Sequence, residues 1–329
     1  MSFSKISFKE AQKLTRGNKF PYFAKIGDGR GGAERIEMDF PSIHVDPKFQ
    51  LEKSDVFFTI GSCFARNLER ELSKIDVTNL TSNCVFDGDL YGMRGSARNG
   101  ALNAYTPKSM LDLLRLHKRS DAMTAGIIQT GDNEFFDMMT SGLRALTADE
   151  SEAVRSKLLE TYRSLKDADV VVVTLGFTET WVDEQDNIHI NRSPGGEKKL
   201  VRSTERYAFF NESPASTMET VEAIVHEIKE QTGGRAKVVI TTSPVPLHRT
   251  WLSRDIVSAN LYSKSTLLSA ATHAAAQYDF VDYFPSYEMV TFSPRSIAWK
   301  EDGMHVHPEV VEKIIRRFSD LYFASKLAD

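Results

Sequence analysis

Ser62 and Cys63, in the run Gly61-Ser62-Cys63-Phe64-Ala65, are the chain's candidate nucleophiles. The run follows a short β-type stretch at 56–60. After it, Ala65, Leu68 and Leu72 recur at helical spacing, with Arg66, Glu69, Arg70 and Glu71 on the other face. A residue at such a strand-to-helix turn exposes its side chain beside backbone N–H groups that can hold a developing oxyanion. A helix N-terminus also favours a thiolate over a thiol. The plainer reading makes Cys63 a small core residue and Ser62 an ordinary N-cap.

The second group is Glu301-Asp302-Gly303-Met304-His305-Val306-His307-Pro308. An Asp three residues before a His, across a glycine that loosens the turn, can hold the imidazole in one tautomer. That imidazole can then serve as general base to a thiol or hydroxyl. His307 is the equal of His305 in composition, and its plainer role is packing or capping at the helix that Pro308 opens. A metal held by His305, His307 and Asp302 would need further ligands nearby, and the sequence shows none, so no metal is expected. The third group is Gly176-Phe177-Thr178-Glu179-Thr180-Trp181. Thr178 carries a hydroxyl that can donate to an oxyanion, and Glu179 can orient the loop or touch substrate. The plainer reading of Glu179 is a solvated carboxylate.

These groups need elements to position them. Asp169-Val170-Val171-Val172-Val173-Thr174-Leu175-Gly176 reads as a buried parallel strand that ends in a turn. Residues 237–241 read as the next strand, stopped by Ser243-Pro244, and Phe280-Val281-Asp282-Tyr283 as a short one. Apolar stripes predict helices over 149–166, 215–231 and 255–276, one from Pro107 with Ser109 as its cap, and a last one from Pro308. Residues 182–213 read as an excursion with a hairpin around 184–187, while 85–145 are harder to read, with a loop over 91–100 ahead of the helix from Pro107. Residues 1–50 read as an extension wrapped on a domain spanning 51–329, with insertions near 85–145 and 182–213. Their run Gly27-Asp28-Gly29-Arg30-Gly31-Gly32 follows no clear strand and is a weak phosphate motif. Strands alternating with helices imply a mostly parallel sheet covered on both faces. Ligands in such folds sit at the carboxyl ends of the strands, so the three tails around Cys63, Thr178 and Ser243 should share one cleft.

Bulk properties narrow the function classes. The chain has 329 residues, 41% of them hydrophobic, which is enough for a sizeable core. A net charge of −4, with only short basic clusters such as Lys198-Lys199 and Arg316-Arg317, argues against a nucleic-acid binder. Two cysteines do not make a disulfide framework. The N-terminus lacks the apolar run of a signal peptide, and no stretch is long enough to span a bilayer, so a cytoplasmic location is expected.

The chain resembles the GSCFA-domain proteins of the SGNH/GDSL-hydrolase superfamily. Gly61-Ser62-Cys63-Phe64-Ala65 looks like the signature itself. Tyr105-Thr106-Pro107-Lys108-Ser109 is similar to the family's aromatic-Asn-Pro-x-Ser segment, with Thr106 in place of Asn. Thr174-Leu175-Gly176-Phe177-Thr178-Glu179-Thr180-Trp181 is similar to its Thr-Leu-Gly-x-x-Glu-x-Trp block. Ser243-Pro244-Val245-Pro246, residues 260–264 and Tyr283-Phe284-Pro285-Ser286-Tyr287-Glu288 match later blocks. The resemblance implies a flavodoxin-like three-layer α/β/α fold with a central, mostly parallel sheet. It implies a nucleophile after the first strand, with Asp302 and His305 as its Asp-x-x-His. Laid without a gap on the superfamily's Gly-Asp-Ser-Leu block, the nucleophile position is Cys63; a slip of one residue makes it Ser62. Thr178 replaces the usual oxyanion Asn. Gly92, Gly95 and Gly100 compete for the oxyanion glycine, and Gly100 stands nearest the Tyr105 block.

The resemblance thus implies an acyl-ester hydrolase acting on an acylated carbohydrate, or an O-acyltransferase that draws on acetyl-CoA, with no other cofactor. A non-catalytic carbohydrate-binding protein with a platform of Trp181, Trp251, Trp299 and Tyr287 is the rival of another class. A nucleotide binder using the 92–100 loop lacks the Gly-Lys-Ser/Thr ending that would support it.

Overall fold

Each element begins where its sequence supplies a start signal. In a computed structural model of the chain, residues 5–92, 98–196, 200 and 205–323 are described. Gly95 and the Lys198-Lys199 pair lie outside the described residues. Ser7 caps α1 (Phe8–Gly17) by accepting from the Glu10 N–H, and a short α2 (Gly32–Ile36) follows. β1 (Phe57–Gly61) runs into α3 (Cys63–Ser73) with Ser62 at the N-cap position. α4 (Pro107–Leu116) opens on a capping box in which Thr106, not Ser109, is the cap. Proline takes the first helical position, which pushes the cap back to the residue before it.

β2 (Ile127–Gly131) and β3 (Glu134–Asp137) pair as an antiparallel hairpin in a stretch to which the sequence assigned no element. α5 (Ala148–Arg163) and β4 (Val170–Leu175) follow. β5 (Glu179–Asp183), β6 (Ile188–Ile190) and β7 (Tyr207–Asn211) then make a small antiparallel sheet in the order β6-β5-β7. The stretch read as an excursion, 182–213, falls in this sheet, whose first strand starts at Glu179. The chain continues through α6 (Pro214–Gln231), β8 (Lys237–Thr242), α7 (Ile256–Gln277), β9 (Val281–Tyr283), α8 (Ser286–Thr291), α9 (Arg295–Ala298) and α10 (Pro308–Tyr322).

β1, β4, β8 and β9 form the central sheet in that order, all parallel. Strand side chains alternate between faces, and both faces here are buried. Phe57, Val170, Val172 and Val239 join Leu68 and Leu72 of α3 and Val311, Ile314 and Phe318 of α10 in one apolar cluster. Phe58, Ile60, Val171, Val173, Val238 and Ile240 join Leu158 of α5, Ile224 of α6 and Leu267 of α7 in the other. Helices thus cover both faces, consistent with a three-layer α/β/α fold. Each fully buried side chain of this size contributes roughly 1.5–3 kcal/mol. Residues near the N-terminus reach the α3/α10 side through Phe40, Ile43 and Phe49, and the Leu51 N–H donates to the Tyr322 carbonyl at 2.7 Å. α1 buries none of its own residues.

One detail of the topology locates the site. A parallel bridge pairs Asn79 with Phe57, so the chain after α3 lies beside β1 on the side away from β4. The chain therefore leaves β1 in one direction and later returns on its other flank as β4. In open α/β sheets a crevice forms where the strand order reverses in this way, at the carboxyl ends of the strands.

Candidate active site at the strand tails

Two glycines let the strand tails come together. Gly61 has φ +152°, and a Cβ there would stand 2.5 Å from the Thr174 carbonyl oxygen on β4. A Cβ at Gly176 would stand 2.5 Å from the Tyr105 carbonyl oxygen. With glycine at both places, the β1 and β4 tails and the Tyr105 segment pack backbone to backbone. The Ala104 N–H donates to the Gly61 carbonyl at 2.9 Å, and the Phe177 N–H donates to the Tyr105 carbonyl at 2.8 Å. β8 joins through Ser243, whose N–H donates to the Leu175 carbonyl at 2.8 Å. The three tails meet at one place, as the strand pattern required.

Two adjoining cavities, of about 440 Å³ and about 700 Å³, open there. Cys63, Tyr105, Val245 and His305 line both. Cys63 is the first residue of α3 and is partly exposed. Ser62 is only 1% exposed, lines neither cavity, and donates its hydroxyl to Ser243 Oγ at 3.1 Å. It occupies the N-cap position without capping through its side chain. Packing therefore turns the thiol, not the hydroxyl, towards the space shared with His305.

His305 Nδ1 stands 2.6 Å from Asp302 Oδ2. Asp302 Oδ1 accepts from the N–H groups of Met304 and His305, both at 2.9 Å. Gly303, at φ +67°, makes the tight turn between them. These backbone and side-chain hydrogen bonds hold the Asp302 carboxyl well below the usual carboxylate range. With Nδ1 engaged by a carboxylate, Nε2 is the nitrogen left to accept a proton. His307 sits at the N-cap of α10 and lines neither cavity. Among the described residues, no three His, Cys, Asp or Glu side chains gather in a way that could hold a metal ion.

Thr178 is fully buried and lines neither cavity. Its hydroxyl donates to Asn211 Oδ1 at 2.7 Å, and its N–H donates to Ser263 Oγ at 3.0 Å. Gly100 lines the larger cavity; Gly92 lines neither. Glu179 lines the smaller cavity and orients its wall: Oε1 accepts from the Thr250 hydroxyl at 2.6 Å and Oε2 from the Trp251 N–H at 2.9 Å. Trp181 and Trp251 meet edge-to-face with centroids 5.0 Å apart, while Trp299 and Tyr287 lie outside both linings. Tyr105 and Phe177 stack at 5.9 Å on the same wall.

The helix N-terminus does not leave Cys63 a low-pKa thiol. Burial pushes the thiol up, against the opposing pull of Lys264 and of the N–H groups of Cys63 and Phe64. A base is therefore needed to make the thiolate.

Sequence reasoning missed three residues. Asn103, on the segment bridged to Gly61, lines the larger cavity with a buried Oδ1 that has no partner. Tyr105 lay inside a recognised motif whose role was not read. Lys264 closed the matched 260–264 block without being given a role, and it was visible as the lone Asp, Glu, Lys or Arg in α7, a signal that a charge sits inside. The Gly27–Gly32 loop wraps its own carboxylate instead of a phosphate: Glu34 accepts from the N–H groups of Gly27 at 2.8 Å and Gly31 at 2.9 Å.

Fold and site together define a mixed α/β protein with a Cys-His-Asp grouping at the carboxyl end of a parallel sheet. The chain belongs to the GSCFA family, whose model matches residues 56–318. A comparison with curated proteins finds no match. Among the described residues, no helix is long and apolar enough to cross a membrane.

Proposed function

We propose that the protein is an acyl-transfer enzyme with Cys63 as nucleophile, His305 as general base and Asp302 as the group that orients it. The observation that carries this reading is the shared lining: Cys63 and His305 border both cavities, and His305 is tied to Asp302 at 2.6 Å. His305 Nε2 takes the thiol proton, and the sulfur attacks the carbonyl carbon of an ester or thioester. The tetrahedral oxyanion is held by the N–H of Cys63 and the Gly100 segment. Thr178 has no part in this, because its hydroxyl is committed to Asn211. Collapse expels the leaving group, which takes the proton back from His305 and leaves a thioester on Cys63. Water, deprotonated by His305, then releases the acid and restores the thiol.

The tryptophan pair beside Glu179 supports an acylated carbohydrate as substrate, since aromatic faces stack on sugar rings. A second reading, O-acyl transfer from acetyl-CoA to a sugar hydroxyl, draws support from the larger cavity. Among the described residues its lining includes Arg70 and Lys300 and no carboxylate, which suits a phosphate-bearing donor. Intact-mass measurement after exposure to p-nitrophenyl acetate or acetyl-CoA tests both. A covalent acyl adduct absent from Cys63→Ala is expected. Turnover with water as acceptor marks the hydrolase, and turnover only with added sugar marks the transferase. Wild-type protein that forms no adduct and turns over neither donor, yet binds sugar, would replace the enzyme with a carbohydrate-binding protein.

A further inference from the structure

Lys264 is fully buried on α7, and its environment is unusual for a cation. Its Nζ donates to the Gly176 carbonyl at 2.8 Å and stands 4.8 Å from the centroid of the Phe177 ring. Both partners belong to the β4 tail, and Phe177 is part of the wall of the smaller cavity. Among the described residues no carboxylate lies within ion-pairing distance of Lys264. The buried cations elsewhere are matched: Arg155 meets Asp137 at 2.8 Å, and Arg66 meets Glu69 at 2.6 Å. A buried ammonium without a counter-charge is costly, and proteins seldom keep one that does nothing. Cys63 lines the same cavity as Phe177, and a thiolate there pulls the Lys264 ammonium up.

We propose that Lys264 is a positioning residue for the nucleophile: its ammonium, fixed behind the cavity wall by the Gly176 carbonyl and the Phe177 ring, is the standing counter-charge for the anion formed at Cys63. The proposal rests on Cys63 being the nucleophile. When the thiol proton moves to His305, the sulfur gains a negative charge that Lys264 balances without giving up a proton of its own. Burial draws the Lys264 ammonium down to about 7 against the opposing, upward pull of a Cys63 thiolate, so each charge favours the other. The remaining groups that face Cys63 are accounted for. Arg66 on α3 pulls the same way but is paired with Glu69, Tyr105 is held neutral by burial, and His305 is the proton acceptor.

The test reads the thiolate directly and needs no acyl substrate, so a protein without acyl-transfer activity still answers it. The rate of iodoacetamide labelling at Cys63 is followed by mass spectrometry across pH in wild type, Lys264→Met and Lys264→Arg. Lys264→Met should move the midpoint up and slow labelling about tenfold at pH 7.5. Lys264→Arg should recover part of the rate, and Cys84 should label alike in all three. A folded Lys264→Met protein with the wild-type midpoint overturns the proposal. If Lys264→Met does not fold, ε-¹³C-lysine titration of wild type and Cys63→Ala decides instead. The Lys264 midpoint should fall when the thiol is removed, and identical midpoints overturn the proposal.

Discussion

The carboxylate of Asp302 lies 2.6 Å from Nδ1 of His305 while its other oxygen accepts the His305 N–H of the same turn. One short loop thus fixes both the ring and its tautomer before any substrate arrives. Its position owes nothing to either residue alone: the Lys300 N–H donates to the His305 carbonyl at 2.9 Å, and Trp299 bridges Val306.

Asp302→Asn should therefore leave the fold intact and present the wrong tautomer to Cys63. We expect kcat to fall on the order of 10³–10⁴-fold with little change in KM. The sign of the pH effect follows from the lowered carboxyl. Asp302 stabilises the folded state above its unfolded value of 3.8, and that contribution is lost as the pH falls through the lower folded value. Thermal melts of wild type and Asp302→Asn should differ at neutral pH and converge in strong acid. A constant difference across pH would exclude this coupling.

Ser62 and Cys63 should separate cleanly. Cys63→Ala should abolish acyl-adduct formation. Ser62→Ala removes one buried hydrogen bond to Ser243 and should cost about 1 kcal/mol of stability, with kcat within a few-fold of wild type. Denaturant melts and adduct mass together check the pair; an adduct that persists in Cys63→Ala and vanishes in Ser62→Ala would reverse the assignment.

Glu179 holds the Thr250–Trp251 wall through two hydrogen bonds. Glu179→Gln can no longer accept both, because its amide nitrogen only donates. The wall should loosen, and KM should rise about tenfold with a smaller change in kcat. Steady-state kinetics on an acylated sugar give the split; a pure kcat effect would place Glu179 in the chemistry instead.

Gly61→Ala should be among the most destabilising single-methyl changes in the chain. The new Cβ would meet Thr174 backbone at 2.5 Å on a residue held at φ +152°. We expect a loss on the order of 3 kcal/mol or more. Gly88→Ala, where a Cβ meets nothing within 4 Å, is the control and should stay within about 0.5 kcal/mol. Equal melting temperatures for the two variants would show that the β1 tail has room to move.

The periodic elements were legible from residues alone. The valine run of β4, the apolar stripes of α5, α6 and α10, and the proline that opens α10 are local signals, each read within a few residues. The Asp302/His305 turn was legible for the same reason, since both members and the glycine between them lie within one short turn. The β2–β3 hairpin was not, because its strands are half-exposed and too short to show a period. Side-chain direction at the strand tails belonged to the tertiary structure. Ser62 and Cys63 are neighbours at the same turn, and Ser243 of the distant β8 tail takes the Ser62 hydroxyl while the Cys63 thiol faces the cavities. The Thr178 hydroxyl is taken by Asn211, a residue of the antiparallel sheet, away from both cavities. Lys264 stands behind the cavity wall because α7 packs its single Lys, Arg, Asp or Glu against the end of β4. Local pattern settles which elements form and which faces they bury. Which polar group is free at their junction depends on partners far away in the chain, and packing alone supplies those.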